Sequence, residues 1–363
     1  MLSTEQLSAV ESKSSHIVVV AAAGSGKTRT LTERVNYLLK QGVDPSTIFA
    51  ITYTNMAAQE MSERLTTCPP SLFIGTIHSL ANQILVSNSI STSQEINDEN
   101  FDRLFDLIEE NNVVMPRVSH VLVDEFQDIT EKEYSFIFNN LKPENYFIVG
   151  DSRQAIYGFK GSNFKYFNNL VEGFNVDVYY LTTDYRNTSS IGRFAGKFIK
   201  GMSDIITTPI DYRRDELGCV LNRDYSPQDL VKLILENDSF GDWFVLTRTN
   251  AESEDVMAQF THYGIPFDTF KKSEKTYEEL KELMSKDTVK VLTIHSAKGL
   301  EAKNVAVIGA RTSGKTPASV AEEKRICYVA ATRARDNLIW YKNKKTNYYY
   351  NKRKNDDCKM ITF

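Results

Sequence analysis

With 363 residues, 41% hydrophobic and 25% charged, the chain has the balance of a soluble globular protein rather than a disordered one, and its length suits two domains of roughly 150 residues each. A formal net charge of -4 argues against a protein that coats nucleic acid by bulk electrostatics, while leaving a local basic track open. The polar start MLSTEQLSAV lacks a signal-peptide core, no stretch approaches the roughly 20 apolar residues of a membrane span, and Cys68, Cys219, Cys327 and Cys358 lie far apart without C-x-x-C pairing. A cytosolic protein with reduced thiols and no membrane is expected.

The first half alternates strands and helices as a parallel sheet flanked by helices would. HIVVVAA (16–22) is a β-branched apolar run, the pattern of a strand buried on both faces. After Gly26 the string TRTLTERVNYLLKQG turns helical, with Leu31, Val35, Leu38 and Leu39 on one side and Gly42 as a stop. IFAITYT (48–54) reads as the next strand and MAAQEMSERL as a helix. Residues 91–112 read as a polar, acidic, largely helical insertion. VSHVLVDEFQD (118–128) and NYFIVGD (145–151) are strands that end in polar residues, at the strand ends where open α/β sheets bind ligands.

The second half repeats the rhythm. DVYYLTT (177–183), WFVLTRT (243–249), KVLTIHS (290–296) and KNVAVIGA (303–310) read as strands, 271–288 as one short charged helix, and AEEKRICYVAATRAR as a helix. No internal repeat is evident by sequence. The stretch 341–363 carries Lys342, Lys344, Lys345, Lys352, Arg353, Lys354 and Lys359 against Asp356 and Asp357, with tyrosines among them. It reads as a solvated basic tail, although cations interleaved with aromatics can also hold a phosphate backbone and stack bases.

Ala21, Ala22, Ala23, Gly24, Ser25, Gly26, Lys27 and Thr28 follow a buried strand and open a helix, the context that makes a glycine-rich string a phosphate cradle. Gly24 and Gly26 let backbone N–H groups converge on a phosphate, Lys27 supplies charge to the β and γ oxygens of ATP, and Thr28 suits Mg²⁺. The match to G-x-x-x-x-G-K-[ST] is imperfect, because Ala21 stands at its first position. Asp124, at a strand end, is suited to the Mg²⁺ shell and Glu125 to orienting an attacking water. Adjacent acids alone are usually solvated loop charges; behind an apolar strand and a phosphate loop they form a set. His78 and His295 have no second ligand at metal spacing.

The segments LSTEQLSAV, AAAGSGKT, ITYTNMAAQEM, GTIHSLANQIL, VLVDEFQD, VGDSRQAIYGFKGSN, LTTDYRNTSSI, FVLTRTNAES, VLTIHSAKGLEAKNVAVIG and EEKRICYVAATRAR, in this order over almost the whole chain, resemble the superfamily 1 DNA helicases of the UvrD/Rep type. The resemblance implies an α/β fold of two RecA-like parallel-sheet lobes with ATP and Mg²⁺ between them, the first over 1–175, the second over 176–345, and the basic tail over 346–363. It implies ATP hydrolysis coupled to lobe closure and 3′ to 5′ movement on single-stranded DNA, or on duplex with a 3′ single-stranded tail, in repair or replication. Gln6 resembles the reader of the adenine edge and Tyr185 the ring that stacks on the base. Arg29, Arg186 and Arg333 resemble phosphate-facing arginines, Gln154 the γ-phosphate sensor, and Glu301 a nucleotide contact.

For the DNA track, Tyr53, Tyr157 and Phe159 resemble stacking groups, and Thr52, Asn55, Thr76, His78, Lys160, Arg248, Thr293 and His295 resemble backbone contacts. A lone Tyr or His at such a position is as often packing. Departures are Ala21 for glycine, DYRN for NYRS, GLEA where an aromatic follows the glutamate, and accessory insertions reduced to 79–119 and 271–288. A non-catalytic scaffold of the same fold is the alternative, against which the intact Lys27, Asp124, Glu125, Gln154, Arg186 and Arg333 stand. A small P-loop kinase would leave the second half without a role.

Overall fold

The structure is a computed structural model that describes residues 2–92, 101–214, 218–237, 239–271 and 275–342. The described residues divide into two compact units, one of residues 2–184 with 203–211, the other of 185–202 with the described residues between 212 and 342. Among the described residues no helix is long and apolar enough to cross a membrane. Two strands, β7 (Thr183–Thr188) and β8 (Asp211–Arg214), pair as a separate ribbon where the chain passes between units.

The first unit holds β1 (His16–Ala21), β2 (Ile48–Thr52), β3 (Phe73–Thr76), β4 (His120–Val123), β5 (Asn145–Gly150) and β6 (Asp177–Leu181) in a parallel sheet of order β3-β2-β4-β5-β1-β6. Helices α1 (Thr4–Val10), α2 (Lys27–Lys40), α3 (Asn55–Arg64), α4 (Ile77–Ser87), α5 (Arg103–Glu110), α6 (Glu131–Ser135) and α7 (Lys165–Val171) connect and flank it. The period-two alternation of a strand explains the unbroken apolar run of β1. Ile17, Val19 and Ala21 enter the core that includes Leu31, Val35 and Leu38 of α2, while Val18 and Val20 enter the opposite core with Leu80, Ile84 and Leu85 of α4. Each buried valine, leucine or isoleucine among them contributes about 1.5–3 kcal/mol by leaving water.

The acidic insertion is not merely polar. Leu104, Phe105, Leu107 and Ile108 of α5 are buried in the same core as α4, their spacing giving the helix one apolar side that its charged composition conceals. Residues 93–100 lie outside the described residues.

The second unit holds α8 (Ser189–Ile199), β9 (Cys219–Asp224), α9 (Pro227–Leu235), β10 (Trp243–Thr247), α10 (Asn250–Tyr263), β11 (Phe267–Asp268), α11 (Tyr277–Ser285), β12 (Val289–Thr293), β13 (Ala302–Ile308), α12 (Pro317–Ala331) and β14 (Ala334–Lys342). Its parallel sheet has the order β11-β12-β10-β13-β14-β9. The helix expected over AEEKRICYVAATRAR ends early: α12 stops at Ala331, and the Ala302 amide donates to the Arg333 carbonyl at 3.1 Å as β14 joins the sheet. The basic tail beyond Lys342, with Cys358, lies outside the described residues.

Candidate nucleotide site and nucleic-acid edges

Because β4, β5 and β1 are parallel neighbours, the loops after them meet at one sheet edge. After β1 the chain turns through Gly24 (φ 74°) and Gly26 (φ 80°), left-handed backbone that only glycine adopts without strain. A Cβ on Gly26 would also lie 2.7 Å from the Gln6 amide nitrogen. The next residue, Lys27, opens α2, and no side chain caps that helix, so its first N–H groups and the positive end of its dipole are open to an anion.

The Thr28 hydroxyl donates to Asp124 Oδ2 at 2.7 Å, joining the phosphate loop to the end of β4. Burial, then the neighbouring Glu125 charge, raise the Asp124 carboxyl to about 6, against the Thr28 bond and the Lys27 charge, which pull it down. A hydroxyl and a buried carboxylate side by side form an all-oxygen donor set, which fits Mg²⁺. Glu125 sits in left-handed backbone at φ 53°, a conformation that side chains adopt only where the surroundings impose it.

Three polar residues not singled out from sequence complete this edge. Gln127 donates to the Glu125 carboxylate and accepts from the Asp151 backbone N–H at 2.9 Å. Asp151, fully buried after β5, accepts from Arg153 Nε at 2.6 Å and from the Gln154 amide at 2.7 Å. Thus Gln154 and Glu125 are held through one chain of hydrogen bonds. Gly150 is needed where it stands, since a Cβ there would lie 2.7 Å from the Phe167 ring. Gln6 is buried against the loop: its amide donates to the Ser25 carbonyl at 2.9 Å and accepts from the Ser3 N–H at 2.9 Å. Arg29 is exposed on the first turn of α2.

In the second unit Tyr185 is exposed, and Arg186 pairs with Glu301. Burial works against ionisation of Glu301, but Arg186 first, then Arg335 and Arg333, outweigh it and lower its carboxyl. Arg333, 1% exposed between α12 and β14, donates to the carbonyls of Val329 at 3.0 Å and Leu300 at 3.3 Å and to the Thr332 hydroxyl at 3.1 Å. The unit therefore gathers Arg186, Glu301 and Arg333 into one charged group.

The residues expected to touch nucleic acid lie at strand ends of both sheets, at the starts of α3 and α4, and in the turn 157–160 after β5. In the first unit Thr52 and Thr76 are register partners across β2 and β3. Between their loops and 157–160 lies an aromatic group: Tyr53 and Tyr157 stack at 5.1 Å, Phe159 is 6.2 Å from Tyr157 and 66% exposed, and Lys160 lies over the Tyr157 ring at 5.4 Å. Asn55 opens α3 and Thr76 caps α4. His78 is spent on Asp102 at 3.2 Å and packs on Phe105.

In the second unit Thr247 and Thr293 are register partners across β10 and β12, Arg248 is paired with Glu323 at 2.6 Å, and His295, half-buried, follows Thr293 by two residues. The two edges share a repeat that sequence reading missed. ITYTN (51–55) matches LTRTN (246–250), and TIHS occurs at 76–79 and again at 293–296. The bonds repeat with it. Thr52 and Thr247 donate to the carbonyls of Thr54 and Thr249, which cap α3 and α10, while Thr76 and Thr293 accept from the N–H groups of Ser79 and Ser296.

A further string, GARTSGKT (309–316), matches G-x-x-x-x-G-K-[ST] without exception and follows β13. Its geometry differs. Here α12 begins at Pro317, past the Lys-Thr pair, Thr316 caps it by accepting from the Ser319 N–H at 3.1 Å, and a Cβ on Gly314 would lie 2.8 Å from the Val320 nitrogen.

The model of the UvrD/REP helicase N-terminal domain matches residues 2–116 and 111–175, and that of the UvrD-like helicase C-terminal domain matches 272–345. A probable DNA helicase II homolog of Mycoplasma capricolum is 25% identical, over 74% of this chain and 51% of its own length. The ATP-dependent DNA helicase PcrA of Staphylococcus aureus is 25% identical, over 78% of this chain and 53% of its own. A probable DNA helicase of Mycoplasma pneumoniae is 26% identical, over 93% of this chain and 82% of its own. The chain thus spans about half the length of the first two relatives. Two domain models covering most of the chain in order, on two parallel sheets, place it in one family: it belongs to the UvrD/Rep-type helicases.

Proposed function

We propose that the protein is an ATP-dependent DNA helicase or translocase that moves 3′ to 5′ on single-stranded DNA. The observation that carries this reading is the Thr28–Asp124 hydrogen bond beside the uncapped start of α2, which sets a cation-binding pair next to open N–H groups. Lys27 and those N–H groups bind the phosphates, Gln6 and Tyr185 recognise the base, and Arg29 adds charge. Thr28 and Asp124 would hold Mg²⁺, which when bound screens the charge of the β and γ oxygens. Glu125, aimed by Gln127, orients the attacking water, and Gln154, held by Asp151, senses the γ-phosphate. Arg186 and Arg333 stabilise charge on the transferring phosphoryl when two RecA-like lobes close, which couples hydrolysis to movement.

Tyr53, Tyr157 and Phe159 stack bases, and the repeated Thr-x-Thr-Asn and Thr-Ile-His-Ser edges hold the backbone. Strand displacement with 3′-tailed and 5′-tailed duplexes tests the reading: unwinding is expected only from the 3′ tail. Unwinding from the 5′ tail alone would reverse the polarity.

A further inference from the structure

The Glu5 side chain, one residue before Gln6, accepts three hydrogen bonds from the stretch that enters β7. The Thr182 N–H donates to Oε2 at 3.1 Å, the Thr182 hydroxyl donates to Oε1, and the Thr183 hydroxyl donates to Oε2 at 3.4 Å. A carboxylate that accepts two hydroxyls and a backbone N–H fixes that backbone more firmly than a neutral acceptor would. Along β7, Thr183 and Tyr185 lie on the same face, two residues apart, and Arg186 comes next.

The helix that carries Glu5 is itself fixed. Ser3 and Gln6 close a capping box at its start, and the buried Arg34 donates to the carbonyls of Val10 and Ser12, each at 2.6 Å, at its end. The Gln6 amide, meanwhile, is bonded to the phosphate loop at the Ser25 carbonyl. One short helix therefore holds the phosphate loop with one side chain and, with the preceding one, the stretch leading to Tyr185.

We propose that Glu5 is a positioning residue for nucleobase recognition, tying Thr182 and Thr183, the stretch from which Tyr185 follows, to the helix that carries Gln6. The proposal rests on the nucleotide-site reading given above. Glu5 touches neither base nor phosphate; it removes freedom from the ring that stacks on the base, so its loss weakens ground-state binding without touching the chemical step.

The test is steady-state ATP and GTP hydrolysis by the full chain with saturating single-stranded DNA. For Glu5→Ala we expect KM for ATP to rise about 5- to 20-fold with kcat within about twofold, and the preference for ATP over GTP to shrink. Glu5→Gln, which keeps an acceptor oxygen, should restore at least half of the loss. A merely structural role would lower the melting temperature and the active fraction and leave KM where it was. Unchanged KM and unchanged ATP preference in Glu5→Ala overturn the proposal. If that variant fails to fold, Thr182→Val decides: a KM rise of about 2- to 5-fold supports the proposal and an unchanged KM overturns it. Lys27→Ala run alongside separates the two failures, because turnover retained there would sink the nucleotide site itself rather than the role of Glu5.

Discussion

Two loops of this protein carry nearly the same string, and they fold differently. AAAGSGKT at 21–28 departs from the phosphate-loop pattern at its first residue, yet its glycines take left-handed backbone, its helix starts at the lysine, and no side chain closes the helix end. GARTSGKT at 309–316 fits the pattern throughout, yet its helix starts past the threonine, and Thr316 closes the first turn itself. Pro317 at the first helical position contributes no N–H. Open helix N–H groups bind phosphate, and a pattern of letters does so only when the chain leaves those groups open.

The sharpest way to break this contrast is at the two lysines. Lys27→Ala should lower ATP turnover by at least about 100-fold, and Lys315→Ala should leave it within about twofold. Equal losses in a coupled ATPase assay would erase the distinction between the loops. The glycines come next. Gly26→Ala forces a side chain into left-handed backbone and against Gln6, so it should raise KM for ATP about tenfold or more and destabilise the first unit by about 1–2 kcal/mol. Gly314→Ala presses on the first turn of α12, so thermal melting should register it while KM for ATP stays unchanged. The smallest effect is at Thr316→Ala, which removes a helix cap worth about 1 kcal/mol and should change melting alone. A rise in KM for ATP in that variant would show that the second loop takes part after all.

The sequence reading found what local chemistry dictates. The buried run at 16–21, the glycine turn and the carboxylates after β4 all announce themselves, because strand periodicity and loop chemistry depend on near neighbours. It missed what burial decides. Gln127, Asp151 and Arg153 look like ordinary polar residues in the string; their roles appear only when β4 and β5 lie side by side and bring the Gln127 carbonyl oxygen to the Asp151 N–H. The same holds for α5, where Asp106, Glu109 and Glu110 interrupt and follow the buried Leu104, Phe105, Leu107 and Ile108 and give the segment its polar appearance. Arg333 reads as helical because no glycine or proline marks the end of α12; sheet pairing ends it instead. The repeat of Thr-x-Thr-Asn and Thr-Ile-His-Ser is too short to stand out by letters, and identical hydrogen bonds at two pairs of strand ends make it visible.

The proposed hydrolysis of ATP at the loop 21–28 in response to a nucleic-acid track is open to direct measurement. The most direct measurement is the steady-state rate of ATP hydrolysis by the full chain with Mg²⁺, with and without single-stranded DNA, alongside Lys27→Ala. The rate should rise and saturate with single-stranded DNA and be lost in the variant; a rate indifferent to single-stranded DNA, or one that survives Lys27→Ala, would overturn the proposed function.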